Sequence, residues 1–385
     1  MDIAPFAVNI PDSVLTDLKE RLTRTRWPDQ LPDAAPWEYG TDAAYAKGLV
    51  EYWRTRFDWR ARERYLNSFP NFRANVGGMG IHFARLKGRG RNPLPIILTY
   101  GWPSTYFEEL KFAGLLADPA SHGADPADSF DVVVPSLPGY GFSDITRRRG
   151  VNTAVVADLW AQLMTEGLGY TRFGAHGGDW GAAVTTRLGY ARPGPVAGIH
   201  ITLIGAQPNP TPPESDLSER EKQFLVDRAD WQDREGGYSH IQGTKHPMLA
   251  YGLNDSPAAL AAWIVHHFRA WSDCGRDVER RFSKDDLLTT VTIYWVTQTI
   301  NSSIRLYYEN RHHPWRLGPG ERITVPTGVA LFPTEINRPP REWAERSYNI
   351  RRWTEMPSGG HFAAMEEPER LAQDIRDFFR PLRTA

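Results

Sequence analysis

The pentapeptide Gly177-Gly178-Asp179-Trp180-Gly181 is the feature that most constrains the fold of this 385-residue chain. Small residues two positions before and after Asp179 match the spacing of a sharp turn that leads from a strand into a helix. Such a turn needs small flanking residues because the strand and helix backbones approach closely. The pentapeptide therefore predicts a strand, a turn and a helix in that order, with the Asp179 side chain presented on the turn.

An aspartate at the centre of this turn restricts the reactions that the site could catalyse. Serine attacks carbonyl carbon, whereas a carboxylate can displace a group at a saturated carbon and form an alkyl ester, which water must then hydrolyse. Epoxide opening and carbon–halogen cleavage are the two reactions that this indicates. The pentapeptide alone fits equally well with a glycine-rich turn whose aspartate caps the next helix.

Composition excludes several classes of partner. The chain has 45 Lys+Arg and 46 Asp+Glu, so no charge excess favours nucleic acid or an anionic membrane. Its single cysteine, Cys274, excludes an intrachain disulfide. No apolar run approaches the ~18 residues that cross a bilayer. We therefore expect a soluble, cytoplasmic protein with a small-molecule partner, and the sequence leaves open whether it forms a homo-oligomer.

Strand and helix patterns alternate through the middle of the chain. Apolar runs at 94–99 and 130–134 predict strands that are buried on both faces of a parallel sheet. Helical periodicity follows at 153–168, and a short strand at 173–176 leads into the Asp179 turn. This alternation predicts an α/β fold with a mostly parallel sheet flanked by helices.

The later part of the chain interrupts and then resumes this pattern. Four prolines lie between residues 207 and 213, and the chain then has mostly helical patterns to about residue 308. Strand patterns return at 325–332 and 348–353, before a final predicted helix at 368–379. We therefore predict a helical cap that is inserted into the sheet-forming part of the chain.

An ester on Asp179 would need a base to activate water, and the expected base is a histidine held by a carboxylate. In this class of fold the nucleophile, the acid and the histidine follow one another in that order. Glu335 follows one predicted strand, and His361, after Gly359-Gly360, follows the next. Loops at the carboxyl ends of parallel strands converge. The sequence therefore predicts Asp179, Glu335 and His361 as a catalytic triad.

The remaining histidines give no sign of a metal site. His176 belongs to the strand that enters the turn, so we expect the sheet to fix it. The adjacent pairs His266-His267 and His312-His313 lack the spacing of metal ligands, and we expect them to be solvated. Neither a metal nor another cofactor is predicted.

Ester hydrolysis passes through an oxyanion, which backbone N–H groups can stabilise. Trp180, the residue after the nucleophile, supplies one such group. The run Tyr100-Gly101-Trp102-Pro103 follows an early strand, and the N–H of Trp102 is the second candidate.

Taken together, these motifs resemble the microsomal-type epoxide hydrolases along nearly the whole chain. This resemblance implies an α/β-hydrolase core, a helical cap, an N-terminal segment that wraps the core, and no cofactor. It implies the divisions 1–75, 76–206, 207–317 and 318–385, which are the N-terminal segment, the first part of the core, the cap and the second part of the core. The matching motifs are Arg24-Thr25-Arg26-Trp27-Pro28, Tyr52-Trp53-Arg54, Phe57-Asp58-Trp59-Arg60, Gly101-Trp102-Pro103, the run 135–143, Gly178-Asp179-Trp180-Gly181, Asn254-Asp255-Ser256-Pro257 and the run 359–364.

The resemblance also implies two cap tyrosines that hydrogen-bond the epoxide oxygen, at Tyr238 and Tyr307. A phenol with a pKa near ~10 is protonated at neutral pH and can donate to that oxygen. Two positions depart from the family pattern. Tyr100 stands where the family usually has histidine, and Thr244-Lys245-His246 is followed by Pro247, where the family commonly has Thr-Lys-Pro.

We therefore predict an epoxide hydrolase that forms a vicinal diol from a small epoxide. Two alternatives are a haloalkane dehalogenase, in which Trp180 could bind halide, and a catalytically silent α/β-hydrolase that binds a small molecule. The sequence leaves open whether the substrate is bulky or aromatic. Four cap aromatics could either line a pocket or pack the cap: Trp263, Trp271, Tyr294 and Trp295.

Overall fold

A computed structural model describes residues 1–383 of the chain. Over these residues the backbone forms one sheet of nine strands and fourteen α-helices. The strands are β1 (Ile3–Pro5), β2 (Asn71–Val76), β3 (Met79–Leu86), β4 (Leu94–Thr99), β5 (Phe130–Pro135), β6 (Phe173–Gly177), β7 (Val196–Ile201), β8 (Ile323–Leu331) and β9 (Tyr348–Glu355). The helices are α1 (Asp12–Thr23), α2 (Ala43–Thr55), α3 (Trp59–Asn67), α4 (Phe107–Ala117), α5 (Thr153–Gln162), α6 (Asp179–Ala191), α7 (Glu219–Glu235), α8 (Gly237–Leu253), α9 (Pro257–Trp271), α10 (Lys284–Thr297), α11 (Ile300–His312), α12 (Arg341–Glu345), α13 (Ala363–Glu366) and α14 (Pro368–Phe379).

The sheet is mostly parallel, as the alternating pattern predicts. Its strand order is β1-β2-β3-β5-β4-β6-β7-β8-β9. The pairs β1–β2, β2–β3 and β3–β5 are antiparallel, and every pair from β5 to β9 is parallel. The apolar strands β5 and β7 are buried at every residue. The helices α4 and α14 pack against each other, and α5 packs against α6, so helices flank the buried strands.

The N-terminal helices α1, α2 and α3 contact the helices inserted late in the chain. Thr41 donates a hydrogen bond of 2.6 Å to the carbonyl of Ala262 in α9. Tyr52 of α2 and Arg62 of α3 both donate to Asp285 of α10, at 3.0 and 2.5 Å. The N-terminal helices are therefore packed elements.

Two helix boundaries differ from the sequence prediction. After Thr41, the residues Tyr45, Leu49, Trp53 and Phe57 recur every four positions and predict one helix that begins at Thr41 and continues to Phe57. Instead, α2 ends at Thr55 and α3 begins at Trp59. The reason is capping, because the Asp58 side chain accepts a hydrogen bond from the N–H of Ala61 and starts a new helix. In the same way Asp42, and not Thr41, caps α2.

Five helices, α7 to α11, lie between β7 and β8 in the chain, and we call them the cap. Serine side chains begin three of them, because Ser218, Ser256 and Ser283 each accept a backbone N–H from the first turn. Helix α8 has a kink at Lys245, just before Pro247. This kink coincides with the departure from the family pattern, and α8 packs along α11.

Candidate active site

The Asp179 turn joins β6 to α6 in a strained backbone conformation. Asp179 has a φ of 48°, in the left-handed region that side chains rarely adopt. A Cβ atom added to Gly181 would lie 1.7 Å from the carbonyl oxygen of Thr99, and one added to Gly177 would lie 2.3 Å from the carbonyl oxygen of Gly181. The small residues are therefore required by close backbone contacts, and the strain fixes the Asp179 side chain at the end of the sheet.

Asp179, Glu335 and His361 follow β6, β8 and β9 and lie together at the carboxyl ends of these strands. The Nε2 atom of His361 is 3.4 Å from Oδ2 of Asp179, and its Nδ1 is 2.6 Å from Oε1 of Glu335. The backbone N–H of Ile336 also donates to Oε1 of Glu335, at 2.7 Å. The imidazole therefore bridges a fully buried carboxylate and one that is still 15% exposed.

The charges on both sides of His361 control its protonation. Burial alone would lower the pKa of the imidazole, but the carboxylates of Glu335 and Asp179 outweigh burial and raise that pKa well above its usual value. Both carboxylates therefore favour the protonated form of the imidazole. Neutralising Asp179 would remove one of the two charges that hold this proton.

A backbone N–H group already points at the Asp179 carboxylate. The N–H of Trp102 donates to Oδ1 of Asp179 at 2.8 Å. The approach is so close that a Cβ atom added to Gly101 would lie 1.9 Å from the same oxygen. Trp180 is the second residue of α6, where a backbone N–H has no partner within its own helix. Of the two backbone groups predicted from the sequence, the N–H of Trp102 therefore binds the carboxylate, and the N–H of Trp180 has no partner within α6.

Tyr238 and Tyr307 come from two packed cap helices and meet above the turn. Their rings are 5.8 Å apart between centroids. Tyr238 stacks on Trp102 at 5.6 Å, and Tyr307 makes an edge contact with Trp180 at 4.7 Å. Burial, followed by the negative charge of nearby groups that include Asp179, raises the pKa of both phenols. Both hydroxyls are therefore protonated at neutral pH.

The expectation of solvated side chains is wrong for His267. This residue is 3% exposed, and its ring lies 4.8 Å from Tyr238 and 4.6 Å from Trp271. The reason is its position on α9, where Trp263, His267 and Trp271 recur every four residues on one buried face. Burial lowers the pKa of His267 to about 3, so its ring is neutral.

His176, His312 and His313 agree with expectation, whereas His266 is half-buried, with 29% of its side chain exposed. His176 is buried in β6, with its Nδ1 3.0 Å from Nδ1 of His200 on β7. His312 and His313 are exposed at the end of α11. Residues 1–383 contain no group of three His, Cys, Asp or Glu side chains that could hold a metal ion.

The four cap aromatics divide into one site residue and three packing residues. Trp271 is fully buried and lies 5.0 Å from Tyr238 and 5.1 Å from His361 between ring centroids. The other three make contacts elsewhere: Trp263 with Gln242, Tyr294 with the carbonyl of Ser104, and Trp295 with Arg21.

Sequence reasoning missed two buried carboxyl groups beside the triad. Glu108 and Glu109, in the first turn of α4, are 8% and 2% exposed. With Asp179 and His361 they line a cavity of about 20 Å³. The sequence does carry a signal, because shortly after Gly101-Trp102-Pro103 a pair of acidic residues lies in a helix whose other residues, apart from Lys111, are apolar.

A larger cavity of about 490 Å³ is lined by Trp180. Its walls come from α6, from the proline-rich connector after β7 and from the segment after α11. Trp180 and Ala183 belong to α6, Ala206 and Pro208 to the connector, and Pro314 and Trp315 to the segment after α11.

Comparisons with known proteins identify the family. The epoxide hydrolase N-terminus model matches residues 3–109, and the α/β-hydrolase fold model matches residues 95–236. A protein of Stigmatella aurantiaca (strain DW4/3-1), named as a candidate epoxide hydrolase, is 44% identical over 99% of this chain and 86% of its own length. Epoxide hydrolase 1 of Oryctolagus cuniculus is 38% identical over 98% of this chain and 88% of its own length. The chain belongs to the epoxide hydrolases.

The fold of this epoxide hydrolase also matches a solved relative. The crystal structure of juvenile hormone epoxide hydrolase from the silkworm Bombyx mori has a TM-score of 0.89 and 28% sequence identity, and the match covers 100% of this chain and 95% of that one. The predictions of an α/β-hydrolase fold and of epoxide hydrolysis are therefore confirmed. Epoxide hydrolases act on small-molecule epoxides. Across residues 1–383, none of the helices combines the length and the apolar character that crossing a membrane demands.

Proposed function

We propose that this epoxide hydrolase opens its substrate through an alkyl ester on Asp179. The observation that carries the proposal is the orientation of this one carboxylate. Its Oδ1 accepts the N–H of Trp102 at 2.8 Å, while its Oδ2 lies 3.4 Å from an imidazole that is held by Glu335. A carboxylate fixed on both oxygens loses little freedom when it attacks, because its orientation is set before the substrate binds.

In the first half-reaction, Asp179 attacks one epoxide carbon and the carbon–oxygen bond of the ring breaks. Tyr238 and Tyr307 donate hydrogen bonds to the leaving oxygen, and one of them transfers its proton. The raised pKa values of the two phenols support this role, since both hydroxyls carry a proton at neutral pH. The carboxylate becomes a neutral ester.

In the second half-reaction, water attacks the ester carbonyl with His361 as the base. Loss of the negative charge on Asp179 removes one of the groups that raise the pKa of the imidazole, so formation of the ester favours the neutral ring that the base requires. Glu335 holds the ring in place. The N–H groups of Trp102 and Trp180 stabilise the oxyanion, and the product is a vicinal diol.

We also propose that the cavity of about 490 Å³ next to Trp180 receives the substituent of the epoxide. Its volume is within the range of roughly 300–1,000 Å³ that is usual for small-molecule sites. Trp180 lines this cavity and contacts Tyr307, which supports a route from the cavity to the reacting oxygen. A substrate with a bulky apolar substituent fits this arrangement.

The test is diol formation from an aryl-substituted terminal epoxide by the wild type, by Asp179→Ala and by a matched control, Asp230→Ala. Asp230 is exposed on α7. We expect diol from the wild type and from the control, and almost none from Asp179→Ala. Normal turnover by Asp179→Ala would overturn the mechanism. Halide release from a chloroalkane without diol formation would instead indicate a dehalogenase.

A further inference from the structure

The cavity of about 20 Å³ beside Asp179 has the size of one water molecule. Its lining residues come from the loop after β4, from α4, from the Asp179 turn and from the His361 loop. Tyr238 and Tyr307 are not among them. The cavity therefore lies on the core side of the carboxylate, away from the cap side where the epoxide would bind.

Two carboxyl groups in this cavity have no role in the steps described above. Burial, followed by the charge of Glu108, raises the pKa of Glu109 well above its usual value. Its Oε2 atom has no hydrogen-bond partner among the described residues. Burial raises the pKa of Glu108 to about 7, although the Ser104 hydroxyl and the charge of His361 oppose the rise. Buried polar groups of this kind normally bind a partner or an ordered water.

We propose that this cavity binds the water that hydrolyses the ester, and that the Glu108 carboxyl holds this water against His361 and Asp179. The inference rests on the alkyl ester proposed above. Both groups needed for hydrolysis, the Asp179 carboxyl and the His361 ring, line the cavity together with Glu108.

Glu108 is a better acceptor for this water than Glu109. The charges of His361, Asp179 and Glu335 act on the pKa of Glu108, whereas burial and the charge of Glu108 raise the pKa of Glu109. Both carboxyl groups line the cavity, and comparing Glu108→Leu with Glu109→Leu tests the choice between them. Glu109 lies one residue further along the helix, about 100° around its axis.

The step balances as follows. The water oxygen bonds to Cγ of Asp179, one of its protons moves to Nε2 of His361, and its other O–H stays hydrogen-bonded to a Glu108 oxygen. The tetrahedral intermediate collapses, the bond from Cγ to the substrate oxygen breaks, and His361 returns its proton to that oxygen. The proton left on the Asp179 carboxyl restores the tyrosine that lost one in the first half-reaction. One epoxide and one water give one diol.

Rapid-mixing experiments with styrene oxide can separate the two half-reactions. Ester formation is followed by tryptophan fluorescence and by the mass of the protein, and hydrolysis by decay of that mass. In Glu108→Leu we expect ester formation at the wild-type rate and hydrolysis that is slower by about 10²-fold, because the water loses its orientation. Glu108→Gln keeps an acceptor oxygen and should hydrolyse the ester within a few-fold of the wild-type rate.

A control variant reports the effect of losing a buried carboxylate elsewhere. Glu63→Leu removes one in α3, where Glu63 accepts from the N–H of Ile10, and it should leave both half-reactions unchanged. The proposal is overturned if Glu108→Leu hydrolyses the ester at the wild-type rate, or if only Glu109→Leu slows it. If Glu108→Leu does not fold, Glu108→Asp withdraws the carboxyl by one methylene and should slow hydrolysis by about tenfold, and no slowing would refute the proposal.

Failure of the underlying mechanism would look different. If the wild type forms diol without any protein-bound ester, the alkyl ester on Asp179 is refuted. If the ester forms and Glu108 has no effect on its decay, only the water site is refuted.

Discussion

Asp179 combines a reactive side chain with a backbone that is unfavourable for any residue other than glycine. A φ of 48° costs on the order of 1 kcal/mol or more, and the close contacts of Gly177 and Gly181 hold it there. This strain presents the carboxylate to the cap and to the N–H of Trp102. The position of one oxygen atom therefore depends on glycines that never touch the substrate.

Gly101→Ala tests this dependence. The added methyl carbon would lie 1.9 Å from Oδ1 of Asp179, so the carboxylate must move, and we expect kcat to fall by about 10²-fold. Gly114→Ala is the matched control, because the same added atom meets nothing within 4 Å in the middle of α4. This control should keep full activity and gain about 0.5–1 kcal/mol in the free energy of unfolding. Equal activity of the two variants in a diol assay would contradict the geometry.

The two tyrosines should share the work of protonating the leaving oxygen. Tyr238→Phe and Tyr307→Phe each leave one donor, so we expect each to slow ester formation by about 10²-fold and the double variant by about 10⁴-fold. Tyr251→Phe, on an exposed side chain of α8, should behave as the wild type. Single-turnover kinetics measures these rates. A double variant no slower than either single variant would show that the two hydroxyls do not act on the same oxygen.

At the residue scale, the sequence was most informative where the chemistry of the reaction and the order of residues along the chain indicate the same residues. Asp179, Glu335 and His361 follow strands in the expected order, and the structure brings them together. His267 and Glu108 were missed for a physical reason. Each is a polar residue on a helix. The buried face of that helix is covered either by residues more than 100 positions away in the sequence or by a loop. A single sequence does not show which face is covered, so it does not show that these polar side chains are buried.

At the element scale, β3 carries a buried histidine whose proton affinity couples folding to pH. Nδ1 of His82 is 2.9 Å from the Ser136 hydroxyl, and its Nε2 is 3.0 Å from Oδ1 of Asn71. Burial, followed by the positive charge of Arg73, lowers the pKa of His82 to about 3. The ring stays neutral in the folded protein and joins β3 to its neighbours.

The stability of the protein should therefore fall below about pH 6.5. There the unfolded chain binds a proton at this position and the folded protein does not, so His82 alone removes about 1.4 kcal/mol per pH unit down to about pH 3. In His82→Gln the dependence should be shallower by that amount, and in the exposed control His122→Gln it should match the wild type. Urea unfolding at pH 7.5, 6.0 and 5.0 measures this difference, and identical slopes in all three proteins would refute it.

Elements were predictable where their pattern was long or continuous. The apolar strands β4 and β5 and the final helix α14 lie where the sequence predicts them. Strand β7 was missed because Gly198 and His200 interrupt its apolar run, although tertiary contacts bury every residue of it. Tertiary packing therefore overrode local propensity in this strand.

At the scale of the whole molecule, the cavity next to Trp180 joins three parts of the chain that are distant in sequence. Ala206 belongs to the connector, Trp180 to the core and Trp315 to the segment after the cap. No local pattern reveals such a cavity, because its walls meet only in the folded chain. Substitutions in the connector should therefore change the selectivity for the substrate without altering the residues of the catalytic triad.

Ala206→Leu should discriminate between substrates. The larger side chain narrows the cavity, so we expect KM for an epoxide with a bulky aryl substituent to rise about tenfold while propylene oxide is turned over as before. Ala127→Leu, on an exposed turn, is the control and should leave both substrates unaffected. An equal effect on the two epoxides would mean that the substituent binds elsewhere.

The contacts between the N-terminal helices and the cap also affect how this chain can fold. Arg21 binds Asp255, and Arg62 binds Asp285, across more than 220 residues of sequence. During synthesis, α1 to α3 leave the ribosome long before α9 and α10 exist. The apolar faces of α1 to α3 therefore stay exposed until these later helices have been made. Contacts this distant in sequence slow folding and prolong the exposure of such surfaces. Newly made chains should therefore depend on chaperones until the cap has been synthesised, and expression at reduced temperature should increase the yield of folded protein.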